Sequence, residues 1–183
     1  MIEIKKQPIK NLISEMTVEE FQKCTNIMSD DDKEYVERYM EIMSVLGASD
    51  DLITSLDIDT LCDFVKVFAK DMPEENTIPH KIEVEGVVYK IYEGAEYKMP
   101  IKDVWQIEKS IKREGRFNFG KALAIICKEE GLSHDQYYTD ITLLNKEEIF
   151  SRQNITKFLP LIHYVITQLG VKVKILLQNE ASL

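Results

Sequence analysis

The stretch Lys81-Ile82-Glu83-Val84-Glu85-Gly86-Val87-Val88-Tyr89-Lys90-Ile91-Tyr92 is where the hydrophobic period of the chain changes from helical to alternating. Alternation of apolar and polar residues places one set of side chains on each face of a strand. Glu85-Gly86 at its centre supplies a two-residue turn, with glycine taking one of the positive φ values that a tight primed turn needs. The stretch reads as a short β-hairpin, and because a lone hairpin is marginal in water it must lie against helices. On both sides the apolar residues recur at helical spacing. The expected fold is mainly α: two helical subregions joined by a linker, with the small hairpin at the start of the second.

Residues 72–80 form that linker. Met72-Pro73-Glu74-Glu75-Asn76-Thr77-Ile78-Pro79 carries two prolines and no periodicity. It separates an acidic helical region, 1–71, from the hairpin and helices of 81–183. The first region opens on an extended arm, since Met1-Ile2-Glu3-Ile4-Lys5 alternates in strand fashion, with no apolar signal region. Thr17 starts its first helix through a reciprocal capping box with Glu20, and Val18, Phe21, Cys24 and Met28 follow on one face until about Ser29. The run Ser29-Asp30-Asp31-Asp32 suits the start of a second helix, because carboxylates meet free N–H groups there. Val36, Met40, Met43 and Leu46 form its stripe and Gly47 ends it. A helical turn spans Ser49 to Leu56. A fourth helix starts at Asp57 or Asp59, with Leu61, Phe64, Val65 and Phe68 inward and Lys70 near its end.

Beyond the hairpin, Pro100 suits a first helical turn, Ile101, Val104, Trp105, Ile107, Glu108 and Ile111 follow at helical spacing, and Gly115 ends the helix. Phe117 to Glu130 reads as another helix, with Phe119, Leu123, Ile126 and Cys127 inward and Gly131 as terminator. Asn145 is read as capping Lys146 to Arg152. Thr156 is read as capping a final helix from Lys157 to Leu169, where Pro160 is tolerated in the first turn and Gly170 follows. The tail Val171-Lys172-Val173-Lys174-Ile175 alternates and reads as a further strand.

Charge narrows the partners. Residues 1–72 hold 8 Lys/Arg against 16 Asp/Glu, net −8, whereas 73–183 hold 15 against 16, so the acidity belongs to the first region. A formal net charge of −9 disfavours nonspecific attraction to nucleic acid or an anionic membrane and favours basic partners. The one stretch resembling a nucleic-acid surface is Lys109, Lys112, Arg113, Arg116 and Lys121, interleaved with Phe117 and Phe119 and diluted by Glu108 and Glu114. It reads first as a solvated helix end, and second as a patch docking against the acidic region of its own chain or a neighbour's.

Catalytic and metal chemistry find no foothold. Cys24, Cys62 and Cys127 lie far apart, as small buried hydrophobes in a reducing compartment would. His80, His134 and His163 show no i, i+4 pairing, and His163 reads as a core or groove residue. Ser133, His134 and Asp135 are triad residue types, but adjacent side chains diverge, so a capped turn accounts for them better. Asp30-Asp31-Asp32 and Asp57-Ile58-Asp59 lack the spacing, central glycine and twelfth-position Glu of a calcium loop. Gly115 and Gly120 are isolated, so no phosphate loop is present. The chain is expected to be non-enzymatic, without cofactor or metal.

Met16-Thr17-Val18-Glu19-Glu20-Phe21, the helix Tyr39-Met40-Glu41-Ile42-Met43-Ser44-Val45-Leu46-Gly47, and Ser49-Asp50-Asp51-Leu52-Ile53-Thr54-Ser55-Leu56 leading into Leu61-Cys62-Asp63-Phe64-Val65 together resemble the tail-assembly-chaperone-like proteins of tailed bacteriophages, including those infecting gut Bacteroidetes. The hairpin, the helix from Met99 to Ile111, and Glu147-Glu148-Ile149-Phe150 before an apolar helix extend the resemblance; Lys128 to Leu144 falls outside it. The resemblance implies a protein of the host cytoplasm that binds the long helical tape-measure protein and shields its apolar surface until tail-tube subunits replace it. It implies no catalytic residues. Seven Met and fifteen Phe plus Tyr supply adaptable apolar surface. The candidate partner-binding residues are Met40, Met43, Phe64, Phe68, Trp105, Phe117 and Phe119, and self-association is a further expectation. Two other readings stay open: a structural virion component such as a head-to-tail connector or tail subunit, and an acidic inhibitor of a host nucleic-acid-binding protein. The second would need carboxylates spaced like DNA phosphates, whereas here the acids cap helices.

Overall fold

A computed structural model describes residues 13–63, 78–91, 99–131 and 139–169. The chain is mainly helical with a small antiparallel sheet. The first helix, α1 (Val18–Met28), carries the expected capping box: Thr17 N–H donates to Glu20 Oε2 at 2.8 Å and Glu20 N–H donates to Thr17 Oγ1 at 3.2 Å. Val18, Phe21, Cys24 and Met28 are buried along one face.

The second helix, α2 (Tyr35–Val45), starts later than the acidic run suggested. Asp30 Oδ1 accepts from Asp32 N–H at 3.3 Å and so builds a turn, not a helix cap. The buried Arg38 fixes that turn from behind, donating to the Lys33 carbonyl at 2.9 Å and the Met28 carbonyl at 3.1 Å. With Arg38 inward, Ile42, Met43 and Leu46 complete the buried stripe, Met40 is half-buried, and Val36 is turned out to 44% exposure. Gly47 takes φ +97° as expected. Helix α3 (Asp50–Ser55) is capped by Ser49, and α4, described over 58–63, by Asp57, whose carboxylate accepts from Thr60 N–H at 2.8 Å. Met43, Ala48, Ile53 and Leu61 form a small core of their own.

Strands β1 (Lys81–Val84) and β2 (Val87–Lys90) pair Ile82 with Tyr89 and Val84 with Val87 around a turn in which Glu85 (φ +50°) and Gly86 (φ +80°) are both left-handed. The hairpin is joined by a third strand, β3 (Lys128–Glu129), which pairs Tyr89 with Glu129. That strand corrects the expected helix to Glu130. Helix α6 (Phe119–Ile126) stops at Cys127, whose ψ of 107° is extended, and Glu130 N–H then donates to the Val88 carbonyl at 3.0 Å. A hairpin edge nearly forty residues away supplies the backbone partners that further helix would have supplied.

Helix α5 (Ile101–Glu114) ends at Gly115, φ +70°. Helix α7 (Asp140–Ser151) begins at Thr139, whose Oγ1 accepts from Thr142 N–H at 3.3 Å, so Asn145 lies inside the helix and is not its cap. Asn154, not Thr156, caps the short 3-10 turn Ile155–Lys157 that leads into α8 (Leu159–Leu169). The main core draws on both sides of the 72–80 stretch: Phe21 and Phe119 rings lie 5.7 Å apart, and Tyr89, Phe150 and Phe158 stack edge to face. Val18 N–H donates to the Gln153 carbonyl and Ile155 N–H to the Met16 carbonyl, both at 2.9 Å, closing the first helix onto the last part of the chain. Among the described residues no helix is long and apolar enough to cross a membrane. The N-terminal arm, Phe64 to Lys70, most of the linker, Ser133 to Asp135, Gly170 and the alternating tail lie outside the described residues.

Candidate partner-binding groove

Helix α5 carries more apolar residues than one face can bury. At about 100° per residue, Val104, Ile107 and Ile111 share one face, which packs on the core, while Ile101 and Trp105 share another. That second face is open: Ile101 is 87% exposed and Trp105 57%. On α7, Leu144 (58% exposed) shares a groove with Trp105 and Ile141 (74%) is exposed one turn earlier, while Leu143, Lys146 and Phe150 hold the other side of that helix in the core. Between the two helices runs a groove of about 610 Å³ floored by Ile125 and Leu143.

One end of the groove is basic. Lys109, Lys112, Arg113 and Lys121 line it against the single carboxylate of Asp140. Lys121 is neutralised by Glu114 at 2.7 Å, whereas Lys109 and Lys112 have no carboxylate partner among the described residues. Lys109 Nζ instead sits 5.0 Å from the centroid of the Trp105 ring. Gln106 Oε1 is buried in the groove wall with no hydrogen-bond donor among the described residues. A buried acceptor without a donor favours an incoming N–H.

The corner that holds this end rigid is a polar network. Burial of the Glu114 carboxylate opposes its ionisation, but hydrogen bonds from Lys121, Asn118 and Ser110 outweigh it and hold the group down at about 2. Asn118 accepts from Lys121 N–H at 2.9 Å, capping α6, and donates to Glu147 of α7 at 2.8 Å. The α6–α7 contact is close because residue 120 is glycine: a Cβ there would collide with Ser151 Oγ and lie 3.3 Å from the Glu147 carbonyl oxygen.

Of the candidate residues, Trp105 alone among those described is displayed. Met43, Phe117 and Phe119 are buried in the two cores and Met40 is half-buried, while Phe64 and Phe68 lie outside the described residues. Since Phe117 and Phe119 point into the core, the basic run offers no interleaved aromatic surface for stacking bases. Ile101, Ile141, Leu144 and Gln106 were not singled out from the sequence, although the surplus of apolar positions on α5 was there to be counted.

No described histidine or cysteine lines the groove. His163 is exposed rather than in the core, Cys62 is partly exposed, and burial pushes the Cys24 and Cys127 thiols up to about 12, so both are protonated at neutral pH. Lys146, 3% exposed, donates to the Cys127 carbonyl at 2.6 Å beneath the Tyr89 ring, and burial lowers its ammonium to about 8. Among the described residues no three His, Cys, Asp or Glu side chains gather as a metal site would require. Comparison with protein-family models, curated proteins and solved structures finds no match to the chain.

Proposed function

We propose that this protein is a tail assembly chaperone of a tailed bacteriophage, acting in the host cytoplasm by holding an apolar helical segment of the tape-measure protein until tail subunits displace it. The reading starts from the sequence resemblance of the capping, hairpin and helix segments. The observation that carries it furthest is the α5–α7 groove, where Trp105 and Leu144 are exposed over a floor of Ile125 and Leu143. An amphipathic helix laid along such a groove buries side chains at i, i+3, i+4 and i+7. From Trp105 to Arg113, α5 offers about 12 Å of wall, some two turns of a client.

Apolar burial supplies most of that contact, at about 1.5–3 kcal/mol per large side chain, against about 0–1 kcal/mol for each exposed ion pair. Raising salt therefore weakens the client complex little. Co-expression with the tape-measure protein encoded by the same phage tests the reading: the expected result is a soluble tape-measure protein that co-purifies at both low and high ionic strength. Failure to capture it, with a fixed copy number of this protein in finished particles, would favour a connector or tail subunit.

A further inference from the structure

The chain carries a second exposed patch whose chemistry is the reverse of the groove's. At the start of α2, Tyr35 (63% exposed) and Val36 (44%) stand together on the surface, ringed by the exposed carboxylates of Asp31, Asp32, Glu34 and Glu37. Glu34 is the residue before the helix, yet its side chain caps nothing, and neither it nor Glu37 has a cationic partner among the described residues. The inner side of this knob is engaged by Arg38, whose guanidinium lies 5.2 Å from the Tyr35 ring and 3.9 Å from Asp31, and by the Tyr39 ring 6.5 Å from that of Tyr35. Two exposed apolar side chains stand among acidic residues here; Trp105 and Leu144, with Lys109, Lys112 and Arg113, line the groove. Among the described residues neither surface covers the other.

We infer that this chain self-associates head to tail, the acidic Tyr35–Val36 knob of one copy seating in the basic end of the α5–α7 groove of the next. The complementarity has two parts. Tyr35 and Val36 enter beside Trp105 and Leu144, removing exposed apolar area from both surfaces. Glu34 and Glu37 meet Lys109 and Lys112, which have no carboxylate partner among the described residues, and the Tyr35 hydroxyl is a donor of the kind that buried Gln106 Oε1 lacks among them. Because knob and groove are different patches, the contact is heterologous: each added copy leaves one knob and one groove free, so association continues past the dimer. The inference goes beyond the client reading and stands without it, since it requires only this chain. A client helix in the groove would displace the neighbouring copy.

Sedimentation velocity of the full-length protein over a concentration series tests it. At low salt the weight-average mass should climb with concentration beyond a dimer. At ~0.5 M salt, where screening shortens charge interactions to a few Å, the apparent affinity should fall about tenfold or more. Lys109→Glu/Lys112→Glu and Glu34→Lys/Glu37→Lys should each sediment as monomers, and mixing the two should restore assembly, because reversed groove meets reversed knob. Should the knob reversal lose its helical circular dichroism, Glu34→Gln/Glu37→Gln replaces it and should weaken assembly by several-fold. A monomer at every concentration, a dimer indifferent to salt and to both reversals, or a mixture that stays monomeric would overturn the inference.

Discussion

Lys109 Nζ lies 5.0 Å from the centroid of the Trp105 ring, one turn along the open face of α5, so the groove's largest apolar surface and a cation with no carboxylate partner among the described residues form one unit. Trp105 packs under nothing else among the ring contacts of the described residues, and its exposure of 57% leaves most of the indole to solvent. Trp105→Ala should therefore shift the unfolding free energy by no more than about 0.5 kcal/mol, as surface substitutions do. Client binding should weaken by about tenfold or more, because a central aromatic anchor is lost. Thermal melting and titration calorimetry on the same variant separate the two effects.

Gly120 tests the joint that positions α7. Gly120→Ala gains helix propensity but drives a methyl against Ser151 Oγ and the Glu147 carbonyl. The net expectation is a loss of about 1–2 kcal/mol in denaturant unfolding. Adding Ser151→Ala should recover part of it, since that partner is the closer of the two.

How much of this was legible in the sequence depends on the range of the interaction. The Thr17–Glu20 box, the Glu85-Gly86 turn and the terminating glycines 47 and 115 are decided by neighbours within a few residues, and each stands where it was expected. The end of α6 was not legible because the strand that captures Lys128–Glu129 is Val87–Lys90, remote in sequence. Arg38 was missed for a related reason: a buried guanidinium reads as a surface charge until the Met28 and Lys33 carbonyls are seen behind it. Its inward turn exposes Val36. The same holds for Trp105, where helical spacing identified the helix but not which of its two apolar faces the core would take.

Glu114 makes stability pH-dependent in the acid range. Its folded carboxyl lies near 2, below its ordinary 4.5, so the contribution is complete above about 5 and is lost as pH falls through 4.5 toward 2. The group is one-quarter exposed, which reduces the expected worth to about 2 kcal/mol. Glu114→Gln should cost that much at pH 7, and the gap from the parent protein should close by pH 2–3 in urea titrations.

Lys146 works in the opposite direction at alkaline pH. Burial holds its folded ammonium at about 8 against an ordinary 10.5, so the folded state binds fewer protons than the unfolded chain between those values, and stability from this group rises with pH across that window. The buried thiols of Cys24 and Cys127, raised to about 12, act the other way above pH 9. Comparison with Lys146→Met cancels them: the parent protein should gain on the variant between pH 8 and 10, by up to about 3 kcal/mol. A difference that stays flat across that range would contradict a depressed ammonium.

The most direct test of the chaperone reading is the ratio of this protein to the tape-measure protein, measured by quantitative mass spectrometry at two stages of one infection. Complexes captured on the tape-measure protein before tail completion should contain this protein in abundance, and finished particles should contain almost none. A fixed, undiminished ratio in purified virions would contradict the account and make the chain a structural subunit.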